Sequence, residues 1–250
     1  MKVLIVNSFS SLVKRVKAVA FLQILAMLLF VSSSYTLEKC PKHPNKYGLN
    51  IVYCKEDYKK QVKRNPNFEL VNIGDSIKGL NLDIRYATTN NFTKQIIYTQ
   101  PKAYVRRPVY EALKKAQDSL AFHGLGLKIF DAYRPYAASE KFYQVYPDTN
   151  FVANPKYGSR HNRGCAVDVS LVNLKSGNEI PMPTEFDDFS DKASPNNMNL
   201  PEEVIKNRTF LFSIMAHFGF THNPNEWWHF DYLGWNNYPL MDLTFEVLGN

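Results

Sequence analysis

The sequence predicts a single α+β domain, on three observations. Its 250 residues suit one sizeable domain with its own core. Its 45% apolar and 21% charged residues are ordinary for a globular chain and set aside disordered and collagen-like classes. Its helical and strand-like segments mix without the regular βαβα rhythm of a doubly wound sheet.

The first 34 residues stand apart from that domain. They hold Lys2, Lys14, Arg15 and Lys17 and no acid, followed by an apolar run of 14 residues from Ala18 to Val31 and then SSSYT. A basic start, a short apolar stretch and small residues after it are the pattern of a secretory signal peptide. A membrane-spanning helix needs about 20 residues, so no membrane attachment beyond an export signal is expected, and the mature chain is expected to be periplasmic or secreted. Without these four cations the net charge falls from +7 to +3. No Lys/Arg block elsewhere suggests a nucleic-acid groove, so no nucleic-acid partner is expected.

Residues 35–67 are polar and Lys-rich and read as a peripheral extension. Cys40 and Cys54 lie in it, close enough in sequence to close a small loop in an oxidising compartment; two unrelated thiols are the alternative. The main domain is expected over 68–250, beginning with FELVNI as a strand. LNLDIRYAT alternates apolar and polar and reads as a second strand ending at Tyr86. VYEALKKAQDSLAFHG places Val109, Leu113, Ala116 and Leu120 on one helical stripe that stops at Gly124. GLKIFDAYRPY reads as a buried strand running into a proline turn at Arg134. AASEKFYQVY is then a helix, CAVDVSLVNL a strand, PEEVIKNRTFLFSIMAHFGF a long amphipathic helix opened by Pro201 and two glutamates, and the last strand lies near EWWHFDYL.

The chemistry falls where polar residues interrupt apolar strands. His161 and Asp168 frame RGCAVDV, and His229 follows Glu226 by three residues in EWWH. A buried carboxylate is costly unless it is paired, hydrogen-bonded or metal-bound. Two histidines and one aspartate suit zinc, whose catalytic sites commonly use three protein ligands and leave a fourth position to water. Glu226, tied to His229 by the chain, is placed to act as a general base on that water.

Each histidine alone reads more simply as an ordinary core or surface residue; the combination of HxxxxxxD and ExxH is what points to a metal. His43, His123, His217 and His222 are assigned no chemistry; His217 falls within a helix end and His222 is expected in a THNPN turn. Trp227 and Trp228 read as core packing, and Cys165 as a buried packing thiol rather than a nucleophile. Arg134, fixed by Pro135, has two readings that the spacing leaves open. It can stabilise a developing oxyanion, or it can be a structural partner of Asp131.

These residues also carry a resemblance. The sequence is similar to the zinc D-alanyl-D-alanine dipeptidases, the VanX-type branch of peptidase family M15, from about Phe68 to the region of Pro239. The family's SxHxxGxAxD motif lies on Ser159, His161, Gly164, Ala166 and Asp168. Its ExxH lies on Glu226 to His229, its YRP arginine on Arg134, and its YAT and NFT on Tyr86 to Thr88 and Asn91 to Thr93.

The resemblance implies a Hedgehog-type fold with a central, mainly antiparallel sheet flanked by helices. It implies one Zn2+ per chain held by His161, Asp168 and His229, with Glu226 as base and Arg134 as stabiliser of the tetrahedral intermediate. Asp187, after Phe186 in PMPTEFDDF, is implied to hold the ammonium of D-Ala-D-Ala, with Ser159 contacting the substrate and Tyr86 near it. The family's usual glycine in that turn is Pro183 here, which leaves Asp188 as an alternative to Asp187. The nearest rival is a zinc D,D-carboxypeptidase or endopeptidase acting on peptidoglycan stem peptides, which exported location favours. A non-catalytic binding module is disfavoured by the presence of both Glu226 and Arg134.

Overall fold

The computed structural model describes Cys40 and residues 44–249. The export signal read at 1–34 and His43 lie outside the described residues. Cys40 to Asn250 form one compact unit.

The chain opens with β1 (Ile51–Val52) and α1 (Lys55–Arg64), then β2 (Leu70–Asn72), the short α2 (Ile73–Ser76) and β3 (Asn81–Leu82). β4 (Tyr104–Arg106), α3 (Arg107–Ala121), β5 (Leu125–Asp131), α4 (Tyr136–Val145) and β6 (Ala166–Asn173) follow. α5 (Glu202–His217), β7 (Phe220–His222), β8 (His229–Tyr232), β9 (Leu240–Met241) and α6 (Phe245–Gly249) complete it. The main sheet has the order β3-β5-β6-β8-β7 and is antiparallel except for the β3–β5 pair. This is the α+β architecture and mainly antiparallel sheet that were expected.

The longest strand, β6, is the centre of the sheet. Val167, Val169 and Leu171 alternate on its apolar face and are fully buried. Helix α3 packs on the neighbouring β5 and on α5, presenting the predicted stripe of Val109, Leu113, Ala116 and Leu120, all fully buried. Burial of each leucine there contributes about 1.5–3 kcal/mol. The polar residues of β6, Asp168 and Ser170, necessarily point to the other face, and the site forms there.

Four expectations need correction. The extension is not wholly peripheral: Ile51 and Val52 pair in parallel with Leu240 and Met241 and are buried, whereas α1 has no buried residue. The compact unit therefore has no boundary at Phe68. The strand expected to end at Tyr86 is only Asn81–Leu82, and Arg85–Ala87 is a 3-10 turn that tucks Tyr86 inward. EWWHFDYL is not the last strand, since β9 follows it. His222 ends β7 rather than sitting in a turn, exposed as an unreactive surface residue would be. Cys40 and Cys54 form a disulfide, with Cα atoms 5.6 Å apart.

Candidate active site

Sheet register brings the charged residues together. Asp131 of β5 lies opposite Asp168 of β6, and Asp168 lies opposite His229 of β8, so the three form a row across adjacent strands. A bulge between Ile129 and Asp131 makes this possible. Ile129 is opposite Val169 on the apolar face; the extra residue re-aims Asp131 to the face of Asp168.

His161 reaches the same point from a 3-10 turn, His161–Arg163, that ends at Gly164 with φ 69°. A side chain there would be strained by the left-handed backbone, and its Cβ would lie 2.7 Å from Leu70 Cδ2. Gly164 is thus the residue that lets the chain double back from His161 into β6.

The three candidate ligands converge tightly. His229 Nδ1 is 3.0 Å from Asp168 Oδ1 and 3.1 Å from His161 Nε2, and His161 Nε2 is 3.4 Å from Asp168 Oδ1. All three residues are buried. A tetrahedral ion with bonds of roughly 2.0–2.2 Å spaces its donors by roughly 3.3–3.6 Å; the 3.4 Å pair lies in that range and the 3.0 and 3.1 Å pairs just short of it, so a small spreading of the side chains fits the set to zinc. The outer ring nitrogens are already committed: His161 Nδ1 donates to Ala132 O at 2.7 Å, and His229 Nε2 to Asp231 Oδ1 at 3.0 Å. The lone pairs left over are the ones that face each other. Burial opposes the charge on Asp168, but His161 and His229 hold its carboxyl well below the usual range. Burial likewise opposes a charged His229; without a metal, Asp231 and Asp168 outweigh it and raise its pKa well above the usual value, so a bound cation would take the place of the Nδ1 proton.

Asp231 was not singled out from the sequence, although its place two residues after His229 on one strand face was a usable signal. It fixes the His229 tautomer and orientation. Asp231→Ala is expected to weaken zinc binding about 10–100-fold. Competition against a chromophoric chelator measures this, and unaltered affinity would remove Asp231 from the site.

Glu226 sits in the turn before β8. Asn223 shapes that turn by accepting from Asn225 N at 2.8 Å, and its amide donates to Glu226 Oε2 at 3.1 Å. Burial pushes the Glu226 carboxyl up to about 8. Arg134 is the partner of Asp131, the second of its two readings. Its Nε and Nη2 donate to Asp131 Oδ2 at 2.9 and 2.7 Å, and Phe142 lies 4.6 Å from the guanidinium. It nevertheless lines the same cavity as Glu226 and the three candidate ligands. The pairing with Asp131 is what aims it.

That cavity, of about 120 Å³, is also lined by Ser159, Tyr86 and Asp187. The Ser159 hydroxyl accepts from His161 N at 3.2 Å. Tyr86, whose pKa burial raises well above 10, donates to Asp187 Oδ1 at 3.0 Å, and Phe92 N donates to Oδ2 at 3.3 Å. Burial pushes the Asp187 carboxyl up to about 7. Asp187 holds φ 65°, a left-handed conformation that aspartate tolerates better than most residues. With Pro183 in the loop, Asp187 still faces the cavity and Asp188 does not line it.

Phe142, Phe151 and Phe189, which sequence reasoning passed over, form an aromatic wall with Phe92. Trp228 lines the cavity as well as packing, while Trp227 is buried and donates to Thr184. Cys165 is fully buried and burial pushes its thiol up to about 12, which leaves it inert. His123, His217 and His222 are exposed and away from the cavity.

Known proteins share this sequence pattern. The peptidase family M15 pattern, described as D-ala-D-ala dipeptidase, matches residues 67–247. The D-alanyl-D-alanine dipeptidase of Escherichia coli K12 is 33% identical over 177 residues, 71% of this chain and 91% of that one. The enzyme of the same name from Enterococcus faecium is 31% identical over 179 residues, 63% of this chain and 88% of that one. With the pattern running from just before β2 into the last helix, the chain belongs to the D-ala-D-ala dipeptidase family of M15 peptidases and is a hydrolytic metallopeptidase.

Proposed function

We propose that the chain hydrolyses free D-Ala-D-Ala to two D-alanines outside the cytoplasm, with one Zn2+ held by His161, Asp168 and His229. The observation that carries this reading is the buried triangle of donors facing Glu226, Arg134 and Asp187 within one small cavity. A volume of about 120 Å³ is on the scale of a small molecule rather than of a long peptide chain. The Cys40–Cys54 disulfide supports an oxidising compartment and hence export.

When bound, zinc supplies a Lewis acid that acidifies water and polarises a carbonyl. Glu226 accepts a proton from the attacking water and passes it to the departing amine. Its raised pKa makes the ionised form a stronger base than an ordinary carboxylate. Arg134, immobilised by Asp131, presents fixed positive charge to the oxygen that becomes negative, with no reorganisation during the reaction. Asp187 binds the substrate ammonium, which compensates its own burial, while Tyr86 and Phe92 N hold the carboxylate in place. The aromatic wall excludes water around these charges.

The ammonium anchor separates this reading from a carboxypeptidase acting on longer stem peptides. The zinc-loaded chain is expected to cleave D-Ala-D-Ala and to lose at least about 10-fold in kcat/KM on the N-acetylated dipeptide, the scale of one charged hydrogen bond. Asp187→Asn is expected to abolish that preference. Equal rates on both substrates in the unaltered protein would favour the carboxypeptidase.

A further inference from the structure

We propose that Arg160 receives the free carboxylate of the dipeptide, so that the site selects for a free C-terminus as well as a free N-terminus. This deepens the dipeptidase reading and rests on it. A free dipeptide at neutral pH is a zwitterion, and a carboxylate taken out of water needs donors in exchange. Asp187 answers the ammonium; a cation must answer the other end.

Among the described residues that line the cavity, the arginines are Arg134 and Arg160. Arg134 is already committed, with Nε and Nη2 on Asp131 and Nη2 3.8 Å from Asp168 Oδ2. Arg160 is different in each respect. Its side chain is 48% exposed, and its guanidinium makes no hydrogen bond to a described residue. Its nearest carboxylate oxygen, Asp231 Oδ2, lies 3.6 Å from Nε, while the other oxygen of Asp231 is taken by His229. A half-exposed contact of that length is weak, so a substrate carboxylate can displace it at little cost.

Arg160 is also held in place. Its guanidinium carbon lies 4.8 Å from the centre of the Trp235 ring, a cation–π contact that holds the group without using its N–H donors. A planar fork with unspent donors matches a carboxylate in two parallel hydrogen bonds. The two anchors line the one cavity from different elements: Asp187 is bonded to Tyr86 and Phe92, whereas Arg160 directly precedes His161 and has Asp231, the outer partner of His229, as its nearest acid. A zwitterion can therefore be held at both ends beside the candidate zinc ligands.

The test compares zinc-loaded protein on D-Ala-D-Ala and on its C-terminal amide. The unaltered protein is expected to prefer the free acid by about 10-fold or more in kcat/KM. Arg160→Gln is expected to bring that ratio close to one, through KM, and Arg160→Lys to restore part of it. An Arg160→Gln protein that keeps the full preference overturns the proposal. Calorimetric titration of the Glu226→Gln protein with both compounds gives a reading independent of turnover. Tighter binding of the acid that disappears on adding Arg160→Gln supports the carboxylate contact, and equal binding of acid and amide by the parent overturns it. Failure of the unaltered protein to cleave the free dipeptide would instead count against the dipeptidase reading.

Discussion

Glu226→Gln is expected to keep its zinc and lose turnover of D-Ala-D-Ala by about 10²–10⁴-fold, the usual contribution of a positioned acid–base group. The substitution is nearly isosteric, and a glutamine oxygen can still accept from the Asn223 amide that now bonds Glu226 Oε2. It also removes a carboxyl that burial already disfavours in its charged form, so folding is not the source of the loss. Zinc content of the purified variant and its kcat, measured side by side, separate the base role from metal binding. Near wild-type turnover would sink the assignment of Glu226.

The second large effect is expected at His161. Its Nε2 is one of the three converging donors, and its Nδ1 is anchored on Ala132 O. Replacing one donor of three costs more than the roughly 10–100-fold typical of an outer partner, so His161→Ala is expected to lose zinc affinity by more than about 100-fold and to lose activity with it. The carboxylate of Asp168, which His161 and His229 together stabilise, also loses a buried partner. Metal analysis after dialysis reads the first effect, and circular dichroism checks that the chain remains folded. Full zinc occupancy in this variant would exclude His161 from the ligand set.

Much of the architecture was legible because it rests on local periodicity. The stripe Val109, Leu113, Ala116 and Leu120 predicts α3, and all four side chains are buried in it. The run CAVDVSLVNL predicts β6 because its apolar residues alternate with Asp168 and Ser170. Short strands were less legible. Ile51–Val52 and Leu240–Met241 are far apart in sequence and become strands only by pairing with each other, and no local pattern in two residues announces a distant partner. The segment before Tyr86 alternates well, yet most of it leaves the sheet because β3 pairs with β5 over only two residues.

The site shows the same division. His161, Asp168, Glu226 and His229 stand out because polar residues at fixed spacing interrupt apolar segments. Asp231 and Asn223 do not, since an acid or an amide near a turn is ordinary until the structure shows which ring nitrogen or carboxyl oxygen it holds. For Arg134 the sequence left two roles open, and the fold pairs it with Asp131 while placing it on the cavity wall.

What the sequence determined by itself was the class of fold, the helices and long strands, and the residue types able to bind a metal and move a proton. These depend on side-chain chemistry and on periods of two or 3.6 residues along the chain. The tertiary structure decided which of those residues meet. Sheet register set Asp131, Asp168 and His229 in one row, a bulge turned Asp131 toward Arg134, and a left-handed Gly164 returned the chain so that His161 faced them. Those are contacts between strands and turns remote in sequence, and only packing of the whole domain specifies them.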